Sequence, residues 1–420
     1  MTKKVLIITY YWPPAGGPGV QRVLKFAKYL PEFGWEPIIL TVENGDYVAT
    51  DTSLLSEVPE QIKVFRTKTI EPFSVFKKLS RKNQIDTYVL NNQSDGLLIR
   101  LSKYLRANLF IPDARIGWKY FAIRTAKKII REEQPALIFS TSPPHSVQLI
   151  AKKIAQKSGL KWVADFRDPW VNSYTNQNLK RSKRAIRRDI HLEKSVLKSA
   201  NQITLASADF YPLFQIGINN WKELTNGFDI IIQSKSTNQN QFTIAYAGSM
   251  SENQIPHAFL HALSKYRSLD FVINYYGNAG RKFLSTVAEN GLSDKIISHG
   301  YVPKVLLLEK LQTNSILLLL MQPYQNGKDN IPLKLFDYLA ANRFILAFGN
   351  PHGRTAEILK ETKSGVVFPY NSEFGQKELE QIIYLCKNFN PIREALEKYN
   401  ITETTKELAE IFVNLIENHG

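Results

Sequence analysis

Apolar residues fall along this chain in short continuous blocks, separated by longer stretches in which they recur every three or four positions. A short unbroken apolar block reads as a strand buried on both faces, and the wider spacing reads as a helix with one buried face. In the first half the blocks lie at 5–9, 36–42, 63–66, 136–140, 162–165 and 202–206, with helical spacing at 20–30, 119–131, 146–158 and 179–198. Residues 71–108 are mixed and basic, with amphipathic pieces. A polar octad at 234–241 (SKSTNQNQ) has no periodicity and reads as a linker. The pattern then restarts, with blocks at 242–247, 271–276, 295–299, 316–321, 344–348 and 365–368, a helix at 256–266, and an amphipathic helix at 403–417. Alternation of this kind predicts α/β domains with parallel sheets. The expected division is a domain at 1–230, a second at 241–400 and a closing helix at 401–420.

The most informative stretch is 329–349 (DNIPLKLFDYLAANRFILAFG). Asn330 is an expected N-cap and Pro332 the expected start of a helical turn. A strand precedes the stretch and another ends it. Ligands of parallel α/β layers sit at the carboxyl ends of strands, so Asp329 and Asp337 are candidate ligand residues. Two carboxylates there can accept hydrogen bonds from sugar hydroxyls. Equally, Asp329 can complement a helix dipole and Asp337 can pair with Lys334 at i+3 spacing.

At 420 residues the chain is long enough for two cores. A single cysteine, Cys386, rules out an internal disulfide framework and fits a reducing compartment. The apolar run 316–321 is far short of the ~20 residues of a spanning helix. The start, MTKKVLIITYYWPP, lacks the small-residue cleavage site of a signal peptide and reads as a first buried strand. A net charge of +16 fits an anionic partner: nucleic acid, a phosphorylated substrate or an acidic membrane face. No zinc pattern or aromatic RNA-binding signature occurs, so nucleic acid is not expected.

Other candidates stand at strand ends. The loop after the first strand carries Gly16 and Gly17, which let a phosphate or sugar approach backbone amides at the following helix. It is not G-x-G-x-x-G, and its prolines remove amides, so a nicotinamide fingerprint is not expected. His145 is placed to contact a sugar or polarise a hydroxyl near neutral pH, or else to cap a helix. Asp165, Arg167 and Asp168 form a charged cluster that can position an acceptor, with Asp168 accepting its proton, or can pair among themselves. His257 and His261 have chelating i,i+4 spacing, but no third ligand is apparent and no metal site is expected. The basic helix at 179–198 can dock anionic lipid headgroups or simply be solvated.

The order of these motifs resembles the retaining glycosyltransferases of the GT-B fold, family 4. Asp329-x7-Asp337 matches the spacing of their Glu-x7-Glu signature, and 332–340 is similar to P-x-K-x-x-E-Y-L-A. Residues 9–21 resemble the P-P-x-x-G-G loop and 226–229 (NGFD) the N-G-x-D turn. Gly248-Ser249 resembles the first loop of the second domain. Residues 165–170 (DFRDPW) resemble a segment of bacterial surface-polysaccharide members. The resemblance implies two Rossmann-like domains facing each other across a cleft, with the terminal helix returning to the first. It implies a nucleotide-sugar donor on the second domain, bound by Gly248, Ser249, Asn330, Lys334 and Asp337, with Gly16 and Gly17 facing the diphosphate. Asp329 would hold donor-sugar hydroxyls and Asp337 the ribose. His145, Asp329 and Asp168 are the implied catalytic residues; Asp165 and Arg167 are on the acceptor side. No cofactor and no metal are implied. The acceptor would be a glycan, lipid-linked, and the enzyme cytoplasmic and peripheral on the inner membrane face. Two departures stand out: both acids are one methylene shorter than Glu, and 249–256 (SMSENQIP) lacks a basic phosphate clamp, leaving Lys334 as the nearest cation. An epimerase of the same fold and a non-catalytic nucleotide-sugar binder are the alternatives.

Overall fold

The structure, a computed structural model, describes residues 2–47, 49–71, 104–173, 176, 179–229, 241–266, 269–322 and 331–417. Residues 234–240 of the expected linker at 234–241 and most of 71–108 lie outside these residues, as do Asp329 and Asn330. The chain divides into two compact units, Met1–Thr225 with Thr404–Gly420, and Asn226–Glu403.

The first unit runs β1 (Lys3–Ile8), α1 (Pro18–Tyr29), β2 (Trp35–Val42), β3 (Lys63–Thr67), α2 (Lys119–Glu133), β4 (Leu137–Ser142), α3 (Ser146–Ser158), β5 (Lys161–Phe166), α4 (Lys183–Leu197), β6 (Gln202–Leu205) and β7 (Trp221–Glu223). All strands are parallel, in the order β3-β2-β1-β4-β5-β6-β7. The central strands are apolar on both faces because helices cover both: Val5, Leu6, Ile7 and Ile8 of β1 are all fully buried. β7 is a short polar edge strand that no apolar block announces.

The second unit runs β8 (Phe242–Ala247), α5 (His257–Lys265), β9 (Phe271–Tyr276), α6 (Arg281–Glu289), β10 (Ile296–Gly300), α7 (Lys304–Leu311), β11 (Ile316–Leu320), α8 (Leu333–Ala340), β12 (Phe344–Phe348), α9 (Arg354–Thr362), β13 (Gly365–Phe368), α10 (Gln376–Lys387) and α11 (Arg393–Glu397). Its sheet, also parallel, has the order β10-β9-β8-β11-β12-β13. The last helix, α12 (Ile401–Glu417), returns to the first unit. Phe412 on α12 is fully buried and sets its ring edge-on to Trp35 at 5.1 Å and Phe139 at 5.8 Å.

Each sheet reverses its strand order once, between β1 and β4 in the first unit and between β8 and β11 in the second. Helices leave to opposite faces at such a reversal, so a crevice opens beyond the strand ends. In the second unit β8 and β11 pair only at Ile244–Ile316 and Ala245–Leu317. Beyond that point the Tyr338 hydroxyl fills the gap, accepting from Ala247 N (3.0 Å) and donating to Leu318 O (3.3 Å). α8 is thereby fixed under the crevice, with Leu335, Phe336, Tyr338, Leu339 and Ala340 buried. Pro332 is its N-cap rather than its first helical residue, one position from the sequence expectation.

Candidate functional site

In the second unit the carboxyl ends of β8 and β9 meet through two glycines that no other residue type can replace at low cost. Gly248 has φ +110° and Gly277 φ +137°, both in the region that side chains disfavour. A Cβ on Gly277 would lie 2.7 Å from the Gly248 carbonyl oxygen, and a Cβ on Gly248 would lie 2.6 Å from Lys334 Nζ. The lysine ammonium occupies the space a side chain would fill. It donates to the Tyr246 hydroxyl (3.2 Å) and stands 4.7 Å over that ring. Burial pushes its pKa down to about 8, and only the nearby Asp337 charge opposes that shift.

The i+3 pairing of Asp337 with Lys334 does not form. Lys334 points to the glycine loop, and Asp337 instead pairs with Lys304 at 3.2 Å, at the start of α7. Both members of that pair keep solvent access, with side chains 43% and 28% exposed for Lys304 and Asp337. Ser249 is exposed at the mouth of the loop, and its carbonyl accepts from the Tyr246 hydroxyl at 2.7 Å. Beside Gly277 the His299 ring stacks on Tyr276 at 4.5 Å and reaches Asn274 at 2.9 Å. Lys334, Gly248, Ser249 and Asp337 are thus gathered at one strand rim; the positions of Asp329 and Asn330 lie outside the described residues.

In the first unit the loop after β1 is held against the β2 side. Gly16 N donates to Ala49 O (2.8 Å), and a Cβ on Gly16 would meet Asp51 Cβ at 3.2 Å. Gly17 is exposed at φ +88° and is the N-cap of α1, whose first residue, Pro18, has no N–H and whose Val20 N donates back to Gly17 O (3.3 Å). His145 ends the loop after β4. It is 8% exposed, stacks on Trp170 at 4.9 Å and 5°, and bonds the Pro169 backbone. Its Nδ1 has no partner among the described residues. Burial first, and then the Arg167 charge, push its pKa down to about 3. The ring is therefore neutral near pH 7, where the sequence suggested a titrating group.

The charged cluster separates into three roles. Asp165 is fully buried and forms an ion pair with Arg22 at 2.8 Å, an interior residue of α1. Its oxygens also accept from Thr141 (2.6 Å) and Thr204 (2.7 Å), so they are enclosed in the sheet rather than offered to an acceptor. Among the described residues Arg167 makes no ion pair; it donates to the carbonyls of Gly19, Pro143 and Ser142, tying the α1 loop to the β4 loop. Burial lowers its pKa. Asp168 remains half-exposed on the rim. Behind this rim α4 turns two buried acids inward: Asp189 accepts from Trp170 Nε1 (2.8 Å) and Arg181 (2.8 Å), and Glu193 accepts from Val171 N and Gln215 N (both 2.9 Å). Desolvation pushes Glu193 up to about 7.

Among the described residues, no three His, Cys, Asp or Glu side chains are grouped to hold a metal ion. His257 and His261 are exposed on α5. Sequence reasoning missed Lys304, Arg22, Trp170 and Asp189, because each acts on a partner far away along the chain. Gly277 had a signal, the glycine-rich turn that follows the strand block at 271–276.

No family model matches the chain, and no curated protein matches it. Solved structures do. A glycosyltransferase from Rickettsia africae superposes with a TM-score of 0.64 at 14% identity, covering 100% of both chains. Sucrose-phosphate synthase from Thermosynechococcus elongatus gives 0.66 at 12%, over 99% of this chain and 100% of that one. Anabaena HepE in complex with UDP and glucose gives 0.61 at 13%, over 98% and 100%. Two parallel Rossmann-like domains, the returning α12 and end-to-end likeness to these structures together give the chain the GT-B fold.

Proposed function

We propose that the protein is a glycosyltransferase that takes a sugar from a nucleotide-sugar donor, with retention and without a metal, and passes it to a lipid-linked glycan in surface-polysaccharide synthesis on the cytoplasmic membrane face. The observation that carries this reading is the meeting of Lys334 with Gly248 and Gly277 at the rim of the second sheet. A cation set against bare backbone, with a carboxylate one helical turn away, suits a diphosphate followed by a ribose. HepE, of the same fold, is described with UDP and glucose, which supports that donor class.

In this reading Lys334 and the backbone at Gly248 and Ser249 hold the diphosphate and stabilise the charge that develops on it as the glycosidic bond breaks. Asp337 binds the ribose, Asp329 and Asn330 the donor sugar. Gly16 and Gly17 leave the β1 loop of the first unit without side chains, so that a substrate group can approach its backbone. His145, neutral and held by Trp170, accepts a hydrogen bond from a sugar hydroxyl. Asp168, half-exposed on the rim, is the acid for the acceptor proton, while Asp165 and Arg167 shape the rim from within.

A calorimetric titration with UDP-, GDP- and ADP-sugars, followed by product analysis with a lipid-linked acceptor, tests the reading. Binding of one donor and transfer with the anomeric configuration kept is the expected result. Epimerised donor without acceptor, or tight binding with neither transfer nor hydrolysis, would replace it with an epimerase or a binding protein.

A further inference from the structure

The outer face of α4 has no partner within the described chain. Its N-terminal half exposes Lys183, Arg184, Arg187 and Arg188, while its inner face is buried. Ile186 lies among these cations at 37% exposure, and Leu179, just ahead of the helix, is 38% exposed. A second apolar piece abuts the start of α4. Residues 104–109 form a helical turn whose Asn108 donates to Lys180 O (3.1 Å) and accepts from Ser182 N (2.6 Å). That turn exposes Tyr104 at 51%, Leu105 at 40% and Leu109 at 63%. Exposed apolar side chains clustered among unpaired cations are costly in water unless a surface covers them.

We infer that this face, α4 with the 104–109 turn, docks the protein onto an anionic lipid bilayer, arginine and lysine meeting headgroup phosphates and Leu109, Leu179 and Ile186 entering the interface. Charge complementarity selects the occupant: a protein partner would require a matching acidic patch, whereas a bilayer supplies both the anionic plane and the apolar layer beneath it. The inference rests on the lipid-linked acceptor proposed above, and deepens it. The same helix that carries the outer cations holds the site loop from behind, since Asp189 binds Trp170 and Glu193 binds Val171. Docking would therefore set the first unit's strand rim, with His145 and Asp168, beside the lipid surface that carries the acceptor.

Vesicle co-sedimentation of the full chain tests this, using phosphatidylcholine vesicles with and without phosphatidylglycerol. Binding is expected only to the anionic vesicles, and to weaken with salt. Lys183→Glu with Arg187→Glu is expected to lower partitioning at least about tenfold, since each basic residue near such a surface is worth roughly a factor of five. Leu179→Ser with Ile186→Ser is expected to lower it about fivefold at unchanged charge. Both variants should keep the wild-type thermal midpoint and the wild-type affinity for UDP, which separates loss of docking from failure of the donor-site reading. No binding to anionic vesicles at low salt, or unaltered binding by the charge-reversed variant, would overturn the inference. So would unaltered binding by the serine variant, because a purely electrostatic association does not need the apolar anchors.

Discussion

Lys334 Nζ occupies the position that a side chain on Gly248 would need, 2.6 Å from where its Cβ would stand. The two residues are far apart in sequence and belong to different helix–strand units, yet each constrains the other. A lysine ammonium this enclosed gains little from water, and burial lowers its pKa.

Gly248→Ala should expel the ammonium and strain the backbone at φ +110°. The expected outcome is a fall in UDP affinity of about tenfold or more, with a stability loss of only about 1–3 kcal/mol from the unfavourable backbone. Calorimetric titration and thermal melts measure the two effects separately.

The lowered pKa of Lys334, about 8, gives a pH signature. Below that value the free ammonium is charged; above it the free enzyme must take up a proton to meet a diphosphate. Affinity should thus be flat between about pH 6.5 and 7.5, above the terminal phosphate's own titration, and weaken as pH rises through about 8 to 9.5. Lys334→Arg should remove the inflection while keeping a cation, and Lys334→Met should lose affinity at every pH. Titrations with UDP across this range decide it.

Lys304 holds the carboxylate that the ribose would need, at 3.2 Å. The pair is partly solvent-exposed and its own stability contribution is small. Lys304→Met should therefore leave the thermal midpoint nearly unchanged and raise affinity for uridine a few-fold, by freeing Asp337. Asp337→Asn should weaken uridine binding in either background.

His145 should not titrate between about pH 5 and 8, because burial and the Arg167 charge keep the ring neutral down to about 3. Nitrogen-detected NMR of the ring over that range should show one neutral tautomer throughout. Trp170→Leu removes the stacked partner and should move the His145 signal back toward ordinary titration.

Glu193 accepts two backbone N–H bonds, and among the described residues no cation stands in hydrogen-bonding contact with it. Glu193→Gln would turn an amide NH2 toward one of those donors, and a cost of about 1–3 kcal/mol is expected in chemical denaturation. The wild-type carboxyl, raised to about 7, binds a proton in the folded state that it lacks unfolded between about pH 4.5 and 7. This group's contribution to stability should accordingly fall as pH rises through that window and level off above it, a slope the variant would lose.

The fold was legible because both sheets are parallel and covered on both faces. Each central strand is then an apolar block, and each helix that follows shows its spacing. The edges were harder: β7 is polar and short, so nothing marks it. The site was legible where a residue's own type carries the reason, as with Gly248, whose backbone excludes side chains, or Lys334, the nearest cation to the glycine loop. It was not legible where a partner comes from a distant helix. Asp165 reads as a candidate for positioning an acceptor in DFRDPW, and only Arg22 on α1 shows that it is interior. Asp337 reads as a partner for Lys334 at i+3, and only the start of α7 shows that Lys304 takes it.

The buried pair of Arg22 and Asp165 has a reach beyond its own ion pair. The same guanidinium donates to the carbonyls of Leu224 (2.6 Å) and Thr225 (2.8 Å), the last residues of the first unit. Just downstream, Phe228 exchanges backbone hydrogen bonds with Tyr399 and Ile401 within the second unit, and Gly227 lies so close to Tyr399 O that a Cβ would stand 2.7 Å away. One guanidinium therefore ties the strand end that carries Asp165 to the last residues of the first unit. Replacing Arg22 by an apolar residue would take the cation from a buried carboxylate and the guanidinium donor from the Leu224 and Thr225 carbonyls at once, so the first unit would lose a knot rather than a single bond.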